Sequence, residues 1–320
     1  MDQTIFNHPY KISDLDGMFK VSGEHELFWQ IIGNKNGIPI VFLHGGPGAK
    51  SMSIHHNYFD SKVWKAVLYD QRGCGRSKPS VKIENNNTHL LVEDLENLRR
   101  YFNIDKWILF GGSWGSTLAL CYGLKYPENC LGFLLRGVFL GTNAEVNWFL
   151  KGMGKFFPEA HEKFLKAFDI SLTKDISSSE ILQIAYEKLF NENPKIHQPA
   201  AEAWASYEMS CATLEYEGRN IKGDFALSLA RIEAHYFKNN CFLGEDEIIS
   251  NINLLEGIPM FIVQGRHDVI CPPFSAKVLN KKLPLSELII IENAGHSAFE
   301  KGIQKAIFNG LDFFKSKFGK

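Results

Sequence analysis

Residues 107–122 read Trp107-Ile108-Leu109-Phe110-Gly111-Gly112-Ser113-Trp114-Gly115-Ser116-Thr117-Leu118-Ala119-Leu120-Cys121-Tyr122. The apolar run from Trp107 to Phe110 predicts a short buried strand, and Thr117 to Tyr122 a helix. Between them lies a glycine turn with Ser113 at the bend and Gly111 and Gly115 on either side. A serine at such a bend needs glycine neighbours, because its own backbone is strained and strand and helix pack tightly around it. The turn lifts the hydroxyl clear of the sheet. The amide N–H of Trp114, at the helix start, then faces any negative charge that develops beside the serine.

Strand, G-x-S-x-G turn and helix make up the nucleophile elbow of the α/β-hydrolase fold. A glycine-rich turn with an ordinary serine is the plain alternative, and the remainder of the chain has to decide between them. Composition permits a large α/β domain. The chain has 320 residues, 45% of them hydrophobic and 22% charged. With 35 basic and 36 acidic residues the formal net charge is −1. That balance argues against a general nucleic-acid or membrane-surface binder, which needs a basic surplus. The six cysteines, Cys74, Cys121, Cys130, Cys211, Cys241 and Cys271, are scattered without a CxxC pair. Free, mostly buried thiols fit better than a disulfide framework or a zinc site. Met1 to Tyr10 is polar and shows no secretory signal, and no apolar run approaches the ~18–20 residues that span a bilayer. A reducing, cytoplasmic setting is the default expectation.

Outward from the elbow, the pattern is that of a mostly parallel sheet with helices on both faces. Met18–Val21 and Glu26–Ile32 predict an antiparallel hairpin. Ile38–Leu43 is a continuous apolar strand ending in His44-Gly45-Gly46-Pro47-Gly48, and Trp64–Tyr69 is a strand ending in Asp70-Gln71-Arg72-Gly73. Leu91, Leu95, Leu98 and Phe102 fall at helical spacing, with Glu93, Asp94, Glu96, Arg99 and Arg100 assigned to the opposite face. The asparagine run at 85–87 reads as a loop before that helix. Leu131–Leu135 is the strand after the elbow. Between residues 141 and 250 only helical segments appear: Ala144–Met153, Glu159–Phe168, Ser179–Phe190, Pro199–Met209 and Phe225–Phe237. Strand Met260–Val263, helix Phe274–Lys282, strand Leu288–Ile291 and helix Gln304–Phe318 follow. The expected organisation is a core from 1–140 and 251–320, with 141–250 inserted as an all-helical cap.

Two predicted strand ends carry further chemistry. Asp268 follows Met260–Val263, and His296 follows Leu288–Ile291. The order Ser, Asp, His is that of nucleophile, acid and base in α/β-hydrolases. Each lies at the edge where ligands meet a parallel sheet. His296 is expected to take the Ser113 proton, Asp268 to fix the histidine tautomer, and Ser113 to form an acyl intermediate. His267 competes for the base and Asp70 for the acid, but both are weaker candidates. His267 precedes the last strand, and Asp70 belongs to a run that reads as a loop-structuring element. The glycine loop at 44–48 supplies the second oxyanion donor, assigned to the N–H of Gly46 with Gly45 as the alternative.

His44–Gly48, Asp70–Ser77 (DQRGCGRS), 111–120 (GGSWGSTLAL) and the closing segments GRHD at 265–268 and Asn293–Ser297 (NAGHS) together resemble the proline iminopeptidase (prolyl aminopeptidase) family of the α/β-hydrolase superfamily. The likeness spans nearly the whole chain. It implies a serine aminopeptidase that takes peptides with a free N-terminus, proline preferred, and needs no metal or organic cofactor. It also implies that two cap segments, Trp204–Glu208 and Ala230–Phe237, carry amine-binding glutamates, which here are Glu208 and Glu233. Trp204 and Glu208 share a helix face at i, i+4, as do Glu233 and Phe237. This chain departs from many relatives in having Tyr207 where they carry a second tryptophan. By the same resemblance Phe139, Phe237 and Cys271 line the proline pocket, with Trp148 a weaker candidate. Arg136 stands at the same strand end and either touches substrate or pairs with a cap glutamate. Broader aminopeptidases or amino-acid ester and amide hydrolases share the triad. An epoxide hydrolase would need an aspartate in place of Ser113, and a non-catalytic binding protein would be expected to have a broken triad.

Overall fold

The computed structural model describes residues 15–319; the polar stretch Met1–Tyr10 lies outside them. Eight strands form one sheet in the order β1-β2-β4-β3-β5-β6-β7-β8. They are β1 (Leu15–Lys20), β2 (Glu26–Gly33), β3 (Ile38–Leu43), β4 (Trp64–Tyr69), β5 (Trp107–Ser113), β6 (Cys130–Val138), β7 (Met260–Gly265) and β8 (Glu287–Ile291). β1 and β2 pair antiparallel, as do β2 and β4, and every pairing from β4 to β8 is parallel. This is the α/β-hydrolase arrangement.

The central strands run as apolar stretches on both faces because helices cover both sides of the sheet. In β3, Val41 and Leu43 enter one core layer while Ile40 and Phe42 enter the other; in β5, Trp107 and Leu109 oppose Ile108 and Phe110 in the same way. The first layer receives α1 (Thr88–Tyr101), α2 (Trp114–Lys125) and α9 (Pro273–Lys282). The second receives α10 (Lys301–Phe318) through Ile303, Ile307, Leu311 and Phe314.

α1 differs from its expected outer face. Asp94, Glu96 and Arg99 are buried rather than solvated. Arg72 donates to both oxygens of Asp94 at 2.6 and 2.7 Å, and Glu96 accepts from Arg99 at 2.9 and 2.7 Å and from the Tyr122 hydroxyl at 2.9 Å. Charge enters the interior here because each group has an opposite partner in bidentate geometry. The preceding asparagines are likewise more than a loop. Asn87 caps α1 by accepting from the Leu90 amide at 2.9 Å, and Asn86 accepts from the Tyr236 hydroxyl at 2.8 Å.

Between β6 and β7 run α3 (Asn143–Asn147), α4 (Pro158–Ala167), α5 (Ser178–Leu189), α6 (Pro194–Ser210), α7 (Gly223–Lys238) and α8 (Glu247–Asn251). The expected helix Ala144–Met153 does not continue as one α-helix. It widens into a π turn at Trp148–Gly152 and tightens into a 3-10 turn at Met153–Lys155. A Cβ on Gly152 would lie 2.3 Å from the Trp148 ring, so only glycine lets that ring fold back over the chain. α6 packs on α7, with α4 and α5 against them. Among the described residues no helix is long and apolar enough to cross a membrane.

Candidate active site

Ser113 ends β5 and opens α2 with φ 57° and ψ −128°. That backbone strains a non-glycine residue, and the packing on both sides holds it there. A Cβ on Gly111 would lie 2.1 Å from the Gly115 carbonyl oxygen, and one on Gly115 would lie 2.1 Å from that of Leu43. The two flanking glycines are thus demanded by contact as well as by turn geometry. The Trp114 amide is the first of α2, so no preceding helical carbonyl takes it. The loop after β3 lies across from it: a Cβ on Gly45 would be 3.4 Å from that of Ser113. Gly46 follows at φ 105°.

Asp268 and His296 meet beside Ser113. The His296 Nδ1–H donates to Asp268 Oδ2 at 2.8 Å. Asp268 Oδ1 accepts from the amides of Ile270 at 3.1 Å and Cys271 at 2.8 Å. Gln264, fully buried at the end of β7, donates to Asp268 Oδ2 at 3.2 Å and to the Cys271 carbonyl at 2.9 Å, and accepts from the Val138 amide at 3.2 Å. Sequence reasoning passed over Gln264. Its signal was an amide side chain directly after the apolar run Met260–Val263.

Arg136 does not pair with a cap glutamate. Its Nη1 lies 3.0 Å from His296 Nε2 and 3.0 Å from the His296 carbonyl oxygen. A guanidinium can only donate, so Nε2 is the unprotonated nitrogen and Nδ1 carries the proton toward Asp268. Ser113 Oγ rests 3.9 Å from Cys271 Sγ. His267 is exposed, and its backbone N–H is bonded to Ala294. Asp70 is committed elsewhere: it accepts from the Ser51 amide and hydroxyl and from Arg76.

Glu208 on α6 and Glu233 on α7 are both buried, and each carboxyl influences the titration of the other. Burial pushes the Glu208 carboxyl up to about 7. It raises Glu233 well above the carboxylate range, and the neighbouring Glu208 charge adds to the effect. Trp204 donates its indole N–H to Glu233 Oε2 at 2.6 Å, whereas Glu208 Oε2 has no partner. Aromatic rings cluster with Trp204. Phe237 lies 6.3 Å from Phe139, 5.3 Å from Phe149 and 6.2 Å from Trp204 between ring centroids. Phe149 belongs to the π turn, and its place was not legible from helical spacing. Trp148 turns away and donates its indole N–H to the Val269 carbonyl at 2.6 Å. Among the described residues no cluster of three or more His, Cys, Asp or Glu is arranged to hold a metal ion. A cavity of about 200 Å³ is bordered by Gly45, Gly46, Ser113, Arg136, Glu208 and His296.

A family model for the alpha/beta hydrolase fold matches residues 38–303. A protein from Leptolyngbya boryana named "Probable proline iminopeptidase" is 41% identical over 93% of this chain and 93% of its own length. The proline iminopeptidase of Neisseria gonorrhoeae is 38% identical over 92% and 94%. The chain belongs to the proline iminopeptidase family. Among solved structures, a proline iminopeptidase-related protein from Thermus thermophilus superposes with a TM-score of 0.59 over 94% of this chain and 97% of that one. At 20% identity that likeness speaks for the fold alone.

Proposed function

We propose that this chain is a serine aminopeptidase that releases an N-terminal proline from peptides through an acyl-enzyme. The observation that carries the reading is that Glu208, whose buried carboxyl neighbours that of Glu233, borders the same cavity as Ser113. Two carboxyls removed from water, one with an unpartnered oxygen, form a site for a cation that brings its own hydrogen-bond donors. A protonated proline nitrogen has charge and two N–H groups. Its ring packs against Phe139, Phe237 and Cys271.

Ser113, His296 and Asp268 act as nucleophile, base and acid. The guanidinium of Arg136 holds His296 in the tautomer that acts as a base, then yields Nε2 to the Ser113 hydroxyl as substrate fills the site. Ser113 Oγ attacks the prolyl carbonyl and its proton passes to Nε2. The amides of Trp114 and Gly46 stabilise the oxyanion. His296 gives the proton to the leaving nitrogen, and a water repeats the sequence to free proline. Residues 141–250 act as a helical cap that carries the amine site. Six free cysteines suit a cytoplasmic setting.

The test of specificity is a panel of aminoacyl 2-naphthylamides. Proline is expected to exceed alanine and leucine in kcat/KM by roughly tenfold or more. Equal rates across the panel would replace this reading with that of a broad aminopeptidase.

A further inference from the structure

The loop after the glycine turn forms a 3-10 helix, Ser53–Tyr58, beside the catalytic cavity. His55 lies in it and is 8% exposed. Its ring centroid is 4.4 Å from that of Phe42, and its plane is parallel to Tyr58 at 6.4 Å and to Phe299 at 6.1 Å. His55 Nδ1 accepts from the Met52 amide at 3.1 Å. The single proton of the neutral ring is then on Nε2. Burial holds the imidazole pKa down to about 3, so the ring remains neutral at working pH. With Nδ1 occupied by the Met52 amide, Nε2–H is the ring's donor, and His55 borders the cavity that also holds Ser113.

The reaction fixes which end of the cavity this is. The nitrogen that departs takes its proton from His296, so the departing residue leaves along the His296 side. Ser297, Ala298 and Phe299, which follow His296 in the chain, line that side. Glu208 borders the same cavity from the cap. A peptide with its amine at Glu208 and its first carbonyl at Ser113 therefore runs its second residue toward His55.

We propose that His55, Phe42, Tyr58 and Phe299 form the subsite for the residue immediately after the scissile bond, in which aromatic walls favour a large apolar side chain and His55 Nε2–H donates to that residue's carbonyl oxygen. The proposal deepens, and rests on, the aminopeptidase reading of the same cavity. His55 acts as a specificity-determining residue: its N–H rewards a substrate that continues as a peptide beyond the proline.

Three substrates test it: Pro-Phe-amide, Pro-Gly-amide and proline 2-phenylethylamide, which keeps the phenyl ring but lacks the carbonyl. All three give the same prolyl-enzyme, so ratios of kcat/KM cancel the fraction of folded enzyme and report acylation. The native protein is expected to prefer Pro-Phe-amide over Pro-Gly-amide by about tenfold or more, and over the phenylethylamide by about tenfold. In His55→Leu the second ratio falls to near one. In Phe299→Ala the first ratio falls about fivefold. A second ratio that survives His55→Leu overturns the role of the His55 N–H. A native enzyme indifferent to the second residue overturns the subsite. Failure to cleave any of the three, or proline 2-naphthylamide, instead overturns the aminopeptidase reading itself.

Discussion

Trp204 donates its indole N–H to Glu233 across 2.6 Å and so ties α6 to α7. That bond occupies one oxygen of Glu233 and leaves the carboxyl pair facing each other. Burial, joined at Glu233 by the neighbouring Glu208 charge, favours the neutral form of each carboxyl. In the proposed function, the same two carboxyls supply the counter-charge for the substrate's cation.

Removing either charge should therefore damage binding of free-amine substrates far more than the chemistry of acyl transfer. Glu208→Gln and Glu233→Gln are each expected to lower kcat/KM for proline 2-naphthylamide by roughly 30-fold or more. Labelling of Ser113 by a small organophosphonate, which has no amine, should change little. Steady-state kinetics and probe labelling on the same preparations separate the two; parallel losses would point to a collapsed site.

The same carboxyl has a cost in stability. The folded-state pKa of Glu208 is raised to about 7, above its ordinary value of 4.5, so the folded protein holds this proton more tightly than the unfolded chain. Stability on this account is full below about pH 4.5 and falls as pH rises toward about 7. Glutamine carries no such penalty. Glu208→Gln should raise the melting temperature by roughly 2–6 °C at pH 8 and leave it near the native value at pH 5. A variant less stable at pH 8 would contradict the assignment of a buried, strained carboxyl.

Gln264 is expected to matter without touching substrate. It supports Asp268 and satisfies the Cys271 carbonyl and the Val138 amide inside the protein. Gln264→Leu leaves those groups without partners at about 1–3 kcal/mol each. A lower melting temperature together with a lower kcat is the expected outcome in thermal denaturation and kinetics. Native values of both would mean that the Ile270 and Cys271 amides alone hold the acid in place.

The elements that were legible from the chain are those whose function depends on local geometry. Ser113 needs the glycines on either side of it, and Asp268 and His296 follow strands whose apolar runs are easily recognised. The rest depended on contacts between distant segments. The outer face assigned to α1 failed at Asp94 and Glu96 because their partners, Arg72 and Tyr122, come from other elements. Phe149 entered the aromatic wall through a π turn that breaks helical periodicity. Arg136 was placed at the correct strand end, but only the fold shows its guanidinium reaching His296 rather than a cap glutamate. His55 sits in a short 3-10 turn with no periodic pattern to mark it.

The claim that Glu208 and Glu233 read a free N-terminus is tested most directly by one pair of substrates. Proline 2-naphthylamide and its N-acetyl derivative differ only in whether the proline nitrogen can be protonated. The account predicts a kcat/KM for the free amine roughly 1,000-fold above that of the acetylated compound, since acetylation removes the cation and leaves the carboxyls without a partner. Equal turnover of the two would contradict it.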